Sequence, residues 1–270
     1  MFRYYFDLRH YGRGSHFLVL VLLLSPLTIY LAQGPSKEIF IISSLPWLIY
    51  GLDQRKFSWV ILSLLVIACV RTTFLLPLIL STFSMFWLKS YKSRAILLFG
   101  TVFLSPLLLS FDFISGTRES ALAFNASRIG LTYYYLHSMG VPFLGGLFIP
   151  LRALQNILEP FIAFQFFSDG PSILNVYYLA SFISAGLFFA CIVYAAFALR
   201  LSKRLRPKIN LEIVVFTFSA IVVAAIPFIH FRYIYPVLPT LLIGIIKLRA
   251  PDRGDNSDLL DDIEKQNRII

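Results

Sequence analysis

Residues 226 to 239, IPFIHFRYIYPVLP, place an imidazole and a guanidinium between two apolar stretches. A charge at hydrocarbon depth costs several kcal/mol unless it is paired, hydrated or close to the membrane surface, so His230 and Arg232 are candidates for function. Arginine stays charged and binds phosphate oxygens through two N–H groups, whereas histidine changes its charge near neutral pH. The structural alternative is an arginine that anchors a helix end at the interface.

Other charged side chains lie beside apolar stretches elsewhere in the chain. Several guanidinium groups near one membrane surface suit a lipid-linked phosphate or pyrophosphate. Structural alternatives exist here too, because Arg71 can cap a helix and Glu38 can favour the dipole at the start of another. The candidates for binding such a group are Arg232, Arg71, Arg128, Arg152, Arg118 and Glu159.

The composition is that of an integral membrane protein. Of 270 residues, 58% are hydrophobic and 14% are charged, and the mean hydropathy is +0.76, whereas about a quarter of residues are charged in soluble domains. The net charge of +10 is typical of basic cytoplasmic loops and predicts no nucleic-acid partner. Cys69 and Cys191 lie in apolar runs, so no disulfide, metal site or cofactor is expected.

Apolar runs bounded by charges predict an all-α, polytopic bundle of about eight transmembrane helices. The second and third runs hold 14 residues each, fewer than the ~20 that a crossing needs, so a re-entrant pair is the alternative. Pro236 and Pro239 should weaken the start of the last span and leave a break that faces a ligand. The runs are residues 16–32, 39–52, 57–70, 72–88, 95–111, 173–199, 212–229 and 234–247.

Positive charge is distributed unequally between the loops, and this sets the orientation. With both termini inside, the cytoplasmic segments hold 18 of the 24 Lys and Arg residues, and Arg232 is among the six that face outward. Residues 1–250 then form a single transmembrane domain, and residues 251–270 form a polar cytoplasmic tail.

The longest outer segment, residues 112–172, is predicted to contain helices of its own. In TRESALAFNASRIGLTYYYLH, Arg118 and Arg128 fall on one face of a helix. In LFIPLRALQNILEPF, Arg152, Gln155 and Glu159 share one stripe. The apolar remainder of both segments predicts interfacial helices at residues 118–137 and 147–159 that pack on the membrane surface.

The order of these features resembles a known group of bacterial envelope proteins. GPSKE opens a span, DQRK forms a basic turn, a span ends at Arg71, PLRALQNILEPF follows in the outer segment, and HFRYIYPVLP closes the series. This order, over residues 35 to 250, is similar to the O-antigen and exopolysaccharide repeat-unit polymerases and their C-type glycosyltransferase relatives. The resemblance implies a multi-pass protein of the bacterial cytoplasmic (inner) membrane that takes part in lipopolysaccharide or exopolysaccharide biosynthesis.

The activity implied by the resemblance is polymerisation of polyprenyl-pyrophosphate-linked oligosaccharide repeat units at the outer face of that membrane. Its partners would be the lipid-linked oligosaccharide, membrane lipids and other envelope-polysaccharide assembly proteins, and it would need neither a nucleotide sugar nor a cofactor. Four arginines, Arg232, Arg71, Arg128 and Arg152, are the candidates for stabilising the departing pyrophosphate. The candidates for removing the proton of the attacking hydroxyl are His230, Glu38 and Glu119, and spacing does not choose among them.

Two other functions remain open at this point. A C-type transferase that uses a polyprenyl-monophosphate sugar would share the fold and the outer site but add one sugar. A non-catalytic transporter or flippase would instead need ionisable groups near the bilayer midplane. A radiolabelled single-sugar product, rather than a ladder, would identify the first alternative.

Reporter fusions test the orientation directly. A reporter fused after Tyr135 should be detected outside the membrane and one fused after Lys203 inside, because the basic residues are concentrated in the segments assigned to the cytoplasm. The measurement is the paired activity of a reporter that works only outside and one that works only inside. A cytoplasmic signal after Tyr135 would contradict the outward placement of the arginines.

Overall fold

The described part of the chain is helical and contains no strand. The computed structural model describes residues 20–33, 36–88, 90–110, 132, 135–136, 139–163, 173–198, 210–225 and 231–249. Short 3-10 segments lie at Ser105–Ser110, Pro142–Phe148 and Tyr235–Val237. The α-helices are α1 (Pro26–Ala32), α2 (Lys37–Asp53), α3 (Phe57–Val70), α4 (Thr72–Phe86), α5 (Tyr91–Leu104), α6 (Ile149–Ala163), α7 (Ile173–Ala198), α8 (Leu211–Ala225), α9 (Phe231–Ile234) and α10 (Leu238–Arg249).

One described helix is long and apolar enough to cross a membrane, over Val176–Ala195 within α7. The apolar helices α3, α4 and α8 are shorter, at 14, 15 and 15 residues. A 14-residue helix rises only about 21 Å, less than the hydrocarbon thickness. The all-α prediction is therefore confirmed for the described residues, whereas this length criterion does not confirm eight separate spans.

Large apolar side chains cover much of the outer surface of these helices. On α7, Leu179, Ile183 and Val193 are exposed, while Ser181 and Ser184 are fully buried. Small and hydroxyl side chains between helices allow close backbone approach and interhelical hydrogen bonds, as in helix bundles packed in lipid. The pattern recurs on α3, where Ile61, Leu62 and Leu65 are exposed and Ser63 is buried.

Helices α2 and α3 form an antiparallel hairpin. The Lys56 amide donates to the Gly51 carbonyl at 2.8 Å in the turn, and the Ser63 hydroxyl donates to the Ser44 carbonyl at 2.8 Å across the pair. Gly51 permits this approach, because a Cβ there would lie 2.9 Å from a methyl group of Val60. The hairpin brings the first turn of α2 and the last turn of α3 to the same end of the bundle.

Helix α8 is the central helix of the described bundle. It contacts α4, α5, α6 and α10, and most of its side chains are buried. At its first turn, Glu212 pairs with Lys247 of α10, and the Asn210 amide donates to the Gly244 carbonyl at 2.8 Å. At its last turn, the Ala224 carbonyl accepts a hydrogen bond from Arg152 of α6. Polar contacts thus hold both ends of an apolar helix.

Two interrupted helices complete each other inside the core. Pro26 has no N–H, so the Leu22 carbonyl loses its usual helical donor, and it accepts instead from the Ser25 amide and the Tyr235 hydroxyl, both at 3.2 Å. The Leu27 amide donates instead to the Ser184 hydroxyl at 2.9 Å. Tyr235 itself lies in the 3-10 segment around Pro236, where the last helix tightens.

The prediction that the break at Pro236 and Pro239 faces a ligand is wrong, because the break is buried inside the protein. The chain does change from α to 3-10 geometry at Tyr235–Val237, as the prolines predict, but this segment is buried. The contacts recorded there are with protein groups: the Leu238 amide donates to the Tyr235 carbonyl, and the Tyr235 hydroxyl donates to the Leu22 carbonyl.

The close approach at Gly51 gives a test of the hairpin. Gly51→Ala should destabilise the folded protein by about 1–3 kcal/mol, because the added methyl group overlaps Val60 and the backbone of α3. The measurement is the unfolding transition of the purified protein in detergent. Gly186→Ala on α7 is the matched control, since a Cβ there meets no atom within 4 Å and should be neutral or stabilising. Equal effects of the two changes would contradict the packing of α2 on α3.

Candidate functional site

A buried ion pair joins the first turn of α2 to the junction of α3 and α4. The Arg71 Nη1 atom lies 2.8 Å from Glu38 Oε1, and the two side chains are only 16% and 10% exposed. Arg71 is the single residue between α3 and α4, and its backbone is extended. This break in the helix turns the guanidinium back toward the start of α2, where a carboxylate also favours the helix dipole.

Tyr233 connects this ion pair to the last helical segment. The Arg71 guanidinium lies over the Tyr233 ring, 4.1 Å from its centroid. The Arg232 guanidinium lies 5.0 Å from the same centroid, and its Nη2 atom donates to the Tyr233 hydroxyl at 3.1 Å. One aromatic ring therefore positions two guanidinium groups, and we refer to Glu38, Arg71, Arg232 and Tyr233 as the arginine cluster.

The segment that carries Arg232 is also held by a carboxylate of α6. The Phe231 amide, at the start of α9, donates to Glu159 Oε2 of α6 at 3.3 Å. An acid at this position satisfies an amide that has no partner within its own helix. Glu159 thus fixes the helical turn on which Arg232 and Tyr233 lie.

The electrostatics of the two arginines differ. Burial lowers the pKa of Arg71, although the Glu38 carboxylate acts in the opposite direction. Burial also acts to lower the pKa of Arg232, but the hydrogen bond to Tyr233 and the nearby Tyr233, Tyr177 and Glu38 side chains outweigh it, so this pKa is raised. Both groups stay protonated at physiological pH because a guanidinium group is not deprotonated in proteins. The cluster therefore keeps two positive charges beside one carboxylate.

The two arginines of the cluster differ in how far they are exposed to solvent. Arg232 is exposed, whereas Arg71 is half-buried and paired with Glu38. An anion approaching this end of the bundle meets Arg232 first, with Arg71 behind the Tyr233 ring. A guanidinium held by an aromatic face keeps N–H groups free to bind phosphate oxygens, since the ring contacts only its plane.

Arg152 has a different environment from the cluster. Its side chain is completely buried, and its Nε atom donates to the Ala224 carbonyl at 2.7 Å at the end of α8. A cation at a helix C-terminus compensates the last carbonyl groups and their dipole. This contact gives Arg152 a structural role, and its part in binding a ligand stays a prediction.

The structure brings some of the predicted site residues together, and others lie outside the described residues. It brings Glu38, Arg71 and Arg232 together, although they lie up to 194 positions apart in the sequence. It connects Glu159 to them through the Phe231 amide. The other predicted residues, Arg118, Glu119, Arg128 and His230, lie outside the described residues, so their roles stay predictions.

Tyr233 is the residue of this site that sequence reasoning missed. It lies within the quoted HFRY stretch, directly after Arg232, but no role was assigned to it. The available signal was an arginine adjacent to an aromatic residue at the end of an apolar span, a combination that permits cation–π contacts. Its contact with Arg71 depends on the fold and has no signature in the sequence.

The donor set of this site suits an anion rather than a metal ion. Among the described residues, no group of three or more His, Cys, Asp and Glu side chains could hold a metal. The positive groups outnumber the acidic one in the arginine cluster, and both are guanidinium groups. The arrangement can therefore bind a phosphate or pyrophosphate at the end of the bundle.

Removal of one partner tests the buried ion pair. Arg71→Met should cost about 3 kcal/mol of stability, because it leaves the Glu38 carboxylate without its counter-ion in a largely buried position. The measurement is unfolding in detergent for Arg71→Met, Glu38→Gln and the double variant. The double variant should be more stable than the sum of the single losses implies. Additive losses would contradict a direct interaction.

Comparison with known proteins gives no relative for this chain. No protein-family model matches it, and neither a curated protein nor a solved structure does. What supports a function is therefore the motif order that resembles the repeat-unit polymerases, together with the apolar composition and the geometry of the arginine cluster.

Proposed function

We propose that the protein is a multi-pass membrane glycosyltransferase that polymerises polyprenyl-pyrophosphate-linked repeat units at the outer face of the bacterial cytoplasmic membrane. The observation that carries this proposal is the convergence of Glu38, Arg71 and Arg232 at one end of an apolar helix bundle. These residues come from the start of α2, the α3–α4 junction and α9, and Tyr233 joins them. Such a site fits an anionic, lipid-linked substrate.

The exposed apolar surface supports a membrane position with several crossings. Helix α7 is 26 residues long, or about 39 Å. The helical run from Phe231 to Arg249 joins α9, a 3-10 turn and α10 into about 28 Å, which is close to the hydrocarbon thickness. The hairpin of α2 and α3 is shorter, and local thinning or a re-entrant position accommodates it.

The two ends of the bundle carry different charged groups. The arginine cluster lies at the end where α2 begins and α3 ends, and the turn at residues 54–56 and the Glu212–Lys247 pair lie at the opposite ends of their helices. The basic residues of that second end belong to the set that the charge distribution assigns to the cytoplasm. The arginine cluster is therefore assigned to the outer face.

The reaction needs a stabilised leaving group and a base. The hydroxyl oxygen of the acceptor unit attacks the anomeric carbon of the donor glycan, and the bond from that carbon to the pyrophosphate oxygen breaks. The polyprenyl pyrophosphate leaves with the electron pair, and the hydroxyl proton passes to a base. Arg232 and Arg71 supply positive charge where the negative charge develops, which is where preorganised groups lower a barrier most.

Glu38 has two possible parts in this reaction, and the structure describes one of them. Its carboxylate holds Arg71 in place, so it is a positioning residue for the cation. As a member of the arginine cluster, it also remains a candidate base together with His230 and Glu119. In the sequence, His230 directly precedes Phe231, whose amide donates to Glu159.

A single-sugar transferase of the C-type class is the second candidate function. The observation that favours it is the position of Glu38, an acid in the first turn of α2 that follows the first outer segment. That enzyme would use a polyprenyl-monophosphate sugar and the same guanidinium groups. The number of sugars added to an acceptor separates the two functions.

Variants of Arg232 test the proposed function in cells. In a strain that lacks the chain, Arg232→Ala should fail to restore long glycan chains, because the exposed cation of the cluster is lost. Arg232→Lys should restore them only partly, since an ammonium keeps the charge but loses two-point binding. The measurement is glycan chain length together with the amount of inserted protein.

The control is Arg55→Ala, which removes an exposed arginine at the opposite end of the bundle. It should leave chain length unchanged. Normal chains from Arg232→Ala at normal protein levels would contradict the proposed role and make Arg232 an interfacial anchor.

A further inference from the structure

All three tryptophans of the chain lie at one end of the bundle, opposite the arginine cluster. Trp47 and Trp59 belong to the hairpin near its turn, and Trp87 follows the last residue of α4. Trp59 and Trp87 are exposed, the latter by 61%. Tryptophan is enriched at the membrane–water interface, where its ring is apolar and its N–H can reach polar groups.

Aromatic contacts join these residues into one surface. The Trp47 and Trp59 rings meet edge to face at 5.8 Å between centroids, and Tyr50 lies 6.4 Å from Trp59. Phe57 stacks on Phe86 at 4.7 Å, which connects the hairpin turn to the end of α4. Among the described residues, the tryptophans thus form a single band around this end.

Among the described residues, three exposed cations lie in or next to the turns beside this band. Arg55 and Lys56 form the turn between α2 and α3, and Lys92 lies in the first turn of α5. The Lys56 ammonium donates to the Tyr50 hydroxyl at 3.3 Å. Asp53 is the acid among them, so positive charge is in excess.

Arg55 occupies a position that glycine would fill more easily. Its φ is 51°, in the left-handed region. Its amide donates to the Leu52 carbonyl at 3.4 Å and the Lys56 amide donates to the Gly51 carbonyl at 2.8 Å, the hydrogen-bond pattern in which helices commonly end on glycine. Arginine adopts this backbone conformation less favourably than glycine does.

We propose that this end of the bundle binds the headgroups of anionic phospholipids, with Arg55, Lys56 and Lys92 on the phosphates and the tryptophan band at the hydrocarbon boundary. Charge complementarity argues for an anionic lipid, and the exposed tryptophan rings at the same end of the bundle as the cations argue for a bilayer rather than an acidic soluble partner. The proposal depends on the membrane position of the protein and not on glycosyl transfer.

Intrinsic fluorescence tests this proposal, because all the tryptophans report on the end in question. The full chain is reconstituted in bilayers that contain a fixed fraction of brominated phosphatidylglycerol or of brominated phosphatidylcholine with the same acyl chains. The measurement is the quenching of tryptophan emission by each lipid. The wild type should be quenched more by phosphatidylglycerol, and added salt should reduce the difference.

Arg55→Gly separates binding from folding. It should lower the preference for the anionic lipid by about fivefold, the effect of one cation near a membrane surface. It should also unfold at a midpoint equal to or above that of the wild type, because glycine adopts the left-handed turn without strain. A double variant that adds Lys92→Gln should lose a further comparable factor.

Lys37→Gln is the matched control, since it removes an exposed cation at the opposite end of α2 and changes the net charge equally. It should leave the quenching ratio unchanged. Equal quenching of the wild type by both lipids, or an unchanged ratio in Arg55→Gly, would overturn the proposal. Both outcomes are independent of glycan chain length, so they leave the test of glycosyl transfer intact.

Discussion

The structure depends on the pairing of charges at one end of an apolar helix bundle. Arg71 lies between two short apolar helices, and a guanidinium in such a position is stable only when a counter-ion and other polar or aromatic groups contact it. Glu38 supplies the counter-ion and thereby fixes the hairpin of α2 and α3. The ring of Tyr233 supplies the second contact and brings the last helical segment to the same place. The exposed charge of Arg232 is positioned as a consequence.

The same constraint applies to the backbone. Prolines interrupt helices that pack against apolar surfaces, and each carbonyl they release needs a donor from the protein. Tyr235 provides one to the Leu22 carbonyl, while Ser184 accepts the displaced Leu27 amide. Tyr235 and Tyr233 lie on the same helical run, so a shift of the buried Tyr235–Leu22 contact would also move the arginine cluster. The polar groups of this bundle therefore serve both packing and site geometry.

The apolar runs predicted the all-α class, and charges beside those runs made Glu38, Arg71 and Arg232 candidates for the site. Spacing could not show which of the candidates meet, because that depends on how the helices pack. The number of crossings could not be read from hydrophobicity. Helices α3 and α4 are apolar, but Arg71 separates them and they hold only 14 and 15 residues. Whether the break at Pro236 faces a ligand or the protein core also could not be predicted, because this depends on which residues pack against Tyr235. The contact of Tyr233 with Arg71 is a property of the fold alone.

The central claim is that the arginine cluster serves transfer from a polyprenyl-pyrophosphate-linked glycan. Its most direct test is purified protein in lipid nanodiscs, supplied with radiolabelled lipid-linked repeat units and no nucleotide sugar. The account predicts a ladder of glycans and release of polyprenyl pyrophosphate, both lost in Arg232→Ala while that variant remains folded. A wild-type protein that is folded and inserted but forms no product from the lipid-linked units would contradict it.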